Sequence, residues 1–314
     1  MDLLTEIRAA AKRIEPHVRR TPVERAASFE CDNEVWLKLE NVQLTGSFKL
    51  RGVMNKLLSF TAEERARGFI ASSTGNHGAA AAYAAKELSL PGKIVVPTTA
   101  RPAKLETIRG YGAEIIEHGE DCVEAEAFAR SLAEEQGMSY VSPYNDPLVA
   151  AGQGTLAIEL AEEVPNLDAI FVAVGGGGMI AGVGCALAEW IPGCEVIGAS
   201  PENSPVMCRS LEAGEIVDME SKPTLSDATA GGIEPGSITF EYAKQYVSRI
   251  ELLSEDQIRT ATRRTIQEQD LVIEGAAGTA VAAYLKESGR WVGKKIAIVL
   301  CGANIGAEEL KEIL

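Results

Sequence analysis

Histidine is scarce in this chain, and its cysteines show no pairing pattern. The three histidines, His17, His77 and His118, stand far apart, which weakens any metal-hydrolase reading. Cys31, Cys122, Cys185, Cys194, Cys208 and Cys301 contain no CxxC pair and no regular spacing. That argues against a disulfide framework or zinc site and for a reduced, cytoplasmic setting. Basic charge is in the minority: 30 Lys and Arg face 45 Asp and Glu, a net charge of −15 without a long basic run. Neither a nucleic-acid partner nor a basic membrane-surface anchor fits that balance. No apolar run reaches the about 18 residues of a membrane span. The opening MDLLTEIRAAAKRIEPHVRR reads as an amphipathic helix and lacks the apolar core and cleavage site of a leader. Internal repeats, low-complexity tracts and flexible linkers are absent too.

What the chain does have is length and apolar content. Its 314 residues, 46% apolar, can build two domains or one large α/β unit. Thr21-Pro22 interrupts the first helix, and Val35 to Leu39 reads as a short strand. Apolar runs at Phe69–Ala71, Ile94–Val96, Ile115–Ile116 and Tyr140–Val141 alternate with helical stretches Ala79–Leu88, Pro102–Arg109 and Val123–Gln136. After Gln153 the pattern restarts with helix Thr155–Glu163, strand Ala169–Val174, helix Met179–Trp190 and strand Glu195–Ala199. Ser254 and Gln257 form a capping-box pattern opening a helix to about Gln269. Helix Ala276–Lys286 and strand Lys295–Leu300 follow. This alternation predicts an α/β fold of two lobes, each a mostly parallel twisted sheet flanked by helices, with a cleft between them. Residues 48–146 are expected to form the small lobe, and 1–47 with 147–314 the large one.

The most unusual stretch is Thr45-Gly46-Ser47-Phe48-Lys49-Leu50-Arg51-Gly52. Thr45 and Ser47 can cap a first helical turn, and Val53, Met54, Leu57 and Leu58 then repeat with helical spacing. Lys49 falls on that first turn, where the helix dipole disfavours a charged amine. If buried it is a candidate Schiff-base nucleophile; an ordinary surface lysine fits the same pattern.

Three loops at strand ends carry further chemistry, where open parallel sheets bind ligands. Gly175-Gly176-Gly177-Gly178, between a buried strand and the helix at Met179, can cradle a phosphate with successive N–H groups. Ser72-Ser73-Thr74-Gly75-Asn76-His77-Gly78 is dense in donors at a helix N-terminus and suits a carboxylate. Cys301-Gly302-Ala303-Asn304 ends the closing strand.

Together these stretches resemble the fold-type II pyridoxal-phosphate enzymes of the tryptophan synthase β-like superfamily, and within them the serine/threonine dehydratases and serine racemases. The markers run in the family's order: KLENVQLTGSFKLRG (38–52), SSTGNHG (72–78), AAGQGT (150–155), VGGGGMIAG (174–182), IEGAAG (273–278) and VLCGAN (299–304). The resemblance covers nearly the whole chain and implies pyridoxal 5′-phosphate in the cleft. Lys49 would carry the cofactor and Phe48 would lie against its ring. Asn76 would bond the 3′-oxygen. Gly175 to Gly178 and the Met179 N–H would hold the phosphate. Ser73, Thr74 and His77 would present the carboxylate-binding loop. Cys301 would sit beside the pyridine nitrogen, where a neutral thiol makes a weaker electron sink and favours prompt loss of a β-leaving group. The implied reaction removes water from a 3-hydroxy amino acid and releases a 2-keto acid and ammonia. Serine, threonine, hydroxyaspartate and phenylserine suit it, and a diamino acid suits the same β-elimination with an amine in place of the hydroxyl as leaving group.

The chain departs from the family at three places. Thr74 stands where the racemases carry a serine and dehydratases often an alanine, so racemase activity is the secondary expectation. Ser200 and Val206 replace the carboxylates of cation-dependent relatives, so no metal is expected. Tyr144 stands where relatives line the side-chain pocket with Phe or Asn. The end at Leu314 leaves no room for a regulatory domain, so allosteric control is not expected, and a homodimer is the family's usual assembly. Two other classes compete. Gly176-Gly177-Gly178-Met179-Ile180-Ala181 matches a dinucleotide pattern, but only Glu202 comes near the required ribose partner. A non-catalytic amino-acid-binding module would leave the intact Lys49 without a role.

Overall fold

The apolar runs assemble into two sheets in the computed structural model, which describes residues 2–100 and 102–314; Met1, where the first helical pattern began, lies outside them. The strands are β1 (Val23–Arg25), β2 (Glu34–Lys38), β3 (Phe69–Ser72), β4 (Gly92–Val96), β5 (Glu114–Glu117), β6 (Ser139–Tyr140), β7 (Ala169–Ala173), β8 (Glu195–Pro201), β9 (Arg249–Leu253) and β10 (Lys295–Val299). The helices of the first half are α1 (Leu3–Ile14), α2 (Lys49–Leu58), α3 (Ala62–Arg67), α4 (Asn76–Leu88), α5 (Pro102–Gly110), α6 (Cys122–Gln136) and α7 (Pro147–Glu163). Those of the second half are α8 (Gly178–Trp190), α9 (Val206–Ala213), α10 (Ile238–Tyr246), α11 (Glu255–Gln269), α12 (Gly275–Lys286) and α13 (Ala307–Ile313).

The larger sheet has the order β1-β2-β10-β7-β8-β9, and the smaller β5-β4-β3-β6. All pairings are parallel except β1 with β2. β7 is buried along its whole length, as a central strand covered by helices on both faces must be. In α1, Leu3, Ile7, Ala10 and Ile14 make one buried stripe. Its first three side chains enter the core of the larger sheet, and Ile14 enters that of the smaller one.

Two strands escaped the sequence pattern. β1 is short and largely exposed, and β9 carries Arg249 and Glu251 along a half-buried face. Both are edge strands, where charge is compatible with pairing on one side only. Helix α7 begins at Pro147, eight residues before the expected Thr155, capped by Asp146, which accepts from the Leu148 and Val149 N–H groups. Gly152 and Gly154 had concealed that start. A Cβ at Gly152 would lie 2.5 Å from the Arg51 carbonyl, so glycine there lets α2 and α7 touch.

Candidate active site

The stretch before Lys49 is stitched to the segment after β10. Ser47 forms an isolated antiparallel bridge with Gly302. The Phe48 N–H donates to Cys301 O at 3.0 Å, and the Ala303 N–H to Gly46 O at 2.9 Å. This corrects one expectation: Thr45 and Ser47 do not cap α2. Its N-cap is Phe48, without a side-chain cap bond, because residues 46–48 are tied to another segment. The Thr45 and Ser47 hydroxyls are buried and have no partner among the described residues.

Lys49 is the first residue of α2 and is half-buried, its amine drawn in toward the Pro143 carbonyl. Nζ donates to Pro143 O at 2.9 Å and lies 5.2 Å from the Phe48 ring centroid. Burial lowers its pKa to about 8, against an opposing pull from Glu274. At neutral pH a useful fraction of the amine is therefore nucleophilic.

The 72–78 loop joins β3 to α4. Gly75 is the N-cap, and the Ser73 hydroxyl accepts from the Gly75 N–H at 3.1 Å. Ser73 and Thr74 are half-buried, while Asn76 and His77 are buried on the first turn. Val141 O lies 2.9 Å from His77 Nε2, so that nitrogen carries the proton and Nδ1 is the bare one. Burial, then the nearby Lys49 charge, lowers the His77 pKa to about 3. The imidazole is neutral, which leaves the N–H groups and hydroxyls of the loop as its donors to an anion.

Asn76 introduces a residue absent from the expected site. Its Nδ2 donates to both oxygens of Glu274, at 2.8 and 3.0 Å, and its Oδ1 accepts from Asn304 at 2.6 Å. Glu274 caps the start of α12, buried, with Oε1 4.0 Å from Cys301 Sγ. Burial, reinforced by Glu274, pushes the Cys301 pKa well up, so Cys301 is a neutral thiol. The signal for Glu274 lay in IEGAAG: an acidic residue between a buried isoleucine and a run of small residues.

The tetraglycine loop joins β7 to α8, with Gly177 as N-cap and Gly178 and Met179 in the first turn. The N–H groups of Gly175, Gly176 and Gly177 have no partner among the described residues. Tyr144 packs on this loop: a Cβ at Gly176 would fall 2.5 Å from its ring. The Tyr144 hydroxyl accepts from the Glu234 N–H at 3.0 Å.

Two charged clusters brace these pieces. Two residues after Lys49, Arg51 is fully buried. Its guanidinium meets Glu40 through two bonds of 2.8 Å and Glu159 through bonds of 2.7 and 2.9 Å. Lys38 donates to Glu159 at 2.5 Å and to Thr21 O at 2.8 Å. In the second cluster Arg130, on α6, bonds Glu234 at 2.6 Å, and Asn145 donates to the second Glu234 oxygen at 2.9 Å. This joins a helix of the smaller sheet to the segment before α10. Arg51, Glu40 and Glu159 were missed as braces because charge in a motif reads first as surface.

Residues 14–302 match the family model described as pyridoxal-phosphate dependent enzyme. An L-threonine ammonia-lyase of Thermotoga maritima is 39% identical over 316 residues, 100% of this chain and 78% of the relative. The Staphylococcus aureus protein named L-threonine dehydratase catabolic TdcB is 35% identical, over 99% of this chain and 91% of its own. The solved structure of maize serine racemase is similar with a TM-score of 0.93 at 30% identity, covering 98% of this chain and 95% of that one.

Proposed function

We propose, from the premise that this chain belongs to the pyridoxal-phosphate dependent enzymes, that it is a lyase acting on a 3-hydroxy amino acid of the threonine or serine type, releasing a 2-keto acid and ammonia. The cofactor is pyridoxal 5′-phosphate, and the chain's donors fit it. They are the Lys49 amine of depressed pKa, the unpartnered buried Ser47 hydroxyl and free N–H groups at a helix N-terminus, beside the bare His77 Nδ1 as an acceptor. The dinucleotide and binding-module alternatives have no comparable support. The observation that carries the proposal is the half-buried Lys49 amine, held by Pro143 O at 2.9 Å and lowered in pKa to about 8.

When bound, the cofactor supplies a carbonyl carbon for the amines and a conjugated ring that draws electrons from the substrate Cα. Lys49 would hold it, with Phe48 against the ring, Asn76 on the 3′-oxygen through an N–H exchanged from Glu274, and Gly175 to Gly178 with Met179 around the phosphate. The 72–78 loop, with Ser73, Thr74 and His77, would hold the substrate carboxylate, and Tyr144 would face its side chain. With its amine free, Lys49 would be basic enough to take the substrate Cα proton. It can pass that proton to the departing hydroxyl. The freed enamine then takes up water and gives the 2-keto acid and ammonia. The neutral Cys301 thiol offers the ring nitrogen no charge partner, which favours prompt loss of the β-leaving group.

Racemisation is the second reading: the Thr74 hydroxyl could serve as acid on the opposite face, though its methyl group crowds that position. The same proposal divides the chain into 1–47 with 147–314 and 48–146, supported by the two sheets. It includes a cytoplasmic setting without nucleic acid or membrane, supported by cysteines that form no disulfide among the described residues and by the acidic charge; a homodimer without a metal completes the reading. Among the described residues no helix is long and apolar enough to cross a membrane.

The test measures keto acid and ammonia from threonine, serine, hydroxyaspartate, phenylserine and a diamino acid, beside Lys49→Ala. Turnover of at least one hydroxy amino acid, abolished in a Lys49→Ala chain of unchanged melting temperature, is expected. Inverted substrate without keto acid would favour the racemase reading. Near-normal elimination by Lys49→Ala would sink the assignment of Lys49.

A further inference from the structure

We infer that Thr239 is a positioning residue that aims the Gly177 N–H at the cofactor phosphate by holding the Gly176 carbonyl. The inference rests on the reading that Gly175 to Gly178 hold that phosphate. Thr239 lies fully buried in the first turn of α10. Its Oγ1 donates to Gly176 O at 2.6 Å and lies 2.8 Å from Ser237 Oγ. A hydroxyl has a single proton and a carbonyl can only accept. Thr239 therefore commits its proton to Gly176, and Ser237 donates into the Thr239 lone pair.

A trans peptide is planar, so a carbonyl and the following N–H point in opposite directions. No cis peptide occurs among the described residues. Holding Gly176 O toward α10 thus turns the Gly177 N–H to the opposite side. Two residues earlier the same device recurs: the Ser200 hydroxyl donates to Val174 O at 3.0 Å, which orients the Gly175 N–H. Glycine dihedrals are permissive, and without these donors a carbonyl could swing toward the anion and repel it. Thr239 also packs on the loop, with its Oγ1 3.2 Å from the Cβ position of Gly177. Valine would preserve that packing and remove only the hydrogen bond.

The test titrates the unloaded full-length chain with pyridoxal 5′-phosphate and with pyridoxal, which lacks the phosphate. Binding is followed by absorbance and folding by melting temperature. The wild type should prefer the phosphorylated compound. Thr239→Val should weaken it about tenfold while shifting pyridoxal by less than about twofold, and Thr239→Ser should stay within about twofold for both. Should valine unfold the chain, Ser237→Ala tests the same relay from its donor end, with an expected loss of about threefold for the phosphorylated compound alone. Variants that bind both compounds as the wild type does, or lose both equally, would overturn the role of Thr239. A wild type that does not discriminate between the compounds would overturn the phosphate reading of the loop, and this inference with it.

Discussion

Arg51 and Arg130 brace the candidate site in opposite ways. Arg51 is 0% exposed and doubly paired, with Glu40 equally buried. Burial works against its charge, yet Glu40 and Glu159 outweigh that and raise its pKa. Arg130 is 38% exposed, and its partner Glu234 is 25% exposed. In a water-poor interior a paired charge cannot find substitutes, so the Arg51 cluster welds α2 to α7 and to the segment after β2. At the half-exposed Arg130, water and salt can replace the partner, so the join there is adjustable. Lys49 lies between the two. Its helix is welded by Arg51, while its amine donates to the Pro143 carbonyl, one residue from the Tyr144 that the Glu234 segment holds.

The comparison is broken most directly at Arg51. Arg51→Met leaves buried Glu40 and half of the Glu159 pairing uncompensated and should cost about 3–5 kcal/mol of stability in urea unfolding. Adding Glu40→Gln should return part of that loss, since one orphaned charge is then removed. A loss below about 1 kcal/mol would mean that the cluster is no weld.

The next effect sits at Lys49. Its ordinary pKa of 10.5 is lowered to about 8, so covalent capture of pyridoxal phosphate by the unloaded chain should rise about tenfold per pH unit below 8 and then level off. The stability sign follows from the same shift. The folded state disfavours the protonated amine, a cost present below pH 8 and relieved between about 8 and 10.5, so the unloaded chain should gain stability across that window. A capture rate still climbing tenfold per unit to pH 10 would show the amine to be solvated after all.

Arg130→Met should be milder, within about 1 kcal/mol, and wild type and variant should converge in about 1 M salt. The smallest effect expected is none: the positions of Ser200 and Val206 carry a hydroxyl and an isopropyl group, and Ser200 already donates to Val174 O. EDTA or added magnesium should leave melting temperature and turnover unchanged beyond ionic strength. A saturable rise in melting temperature with millimolar magnesium, absent with matched sodium chloride, would reveal a cation site built from other ligands.

Some of this was legible in the residues and some was not. The run of alternating apolar strands and helices announced two parallel sheets, and the capping box at Ser254 and Gln257 forms as the spacing implied. Exposed edges were not legible, because β1 is three residues long and β9 interleaves Arg249 and Glu251 with its apolar residues. The start of α7 was hidden by Gly152, whose value comes from a neighbour 101 residues away in sequence, the Arg51 carbonyl. Caps at Thr45 and Ser47 looked sound locally and yielded to a bridge with Gly302.

Sequence alone determined the family, the order of the loops and the residue types able to hold an amine-reactive, phosphorylated cofactor. Those are properties of short stretches, where a tetraglycine run or a lysine after Ser-Phe carries its chemistry locally. Tertiary structure alone decided which donors are committed and which are free. It placed Glu274 against Asn76 and Cys301, drew the Gly176 carbonyl onto Thr239, and gave His77 its neutral form. Burial and hydrogen-bond partnership are set by segments far apart in the chain, and the protonation states of Lys49, His77 and Cys301 follow from that burial rather than from their neighbours in sequence.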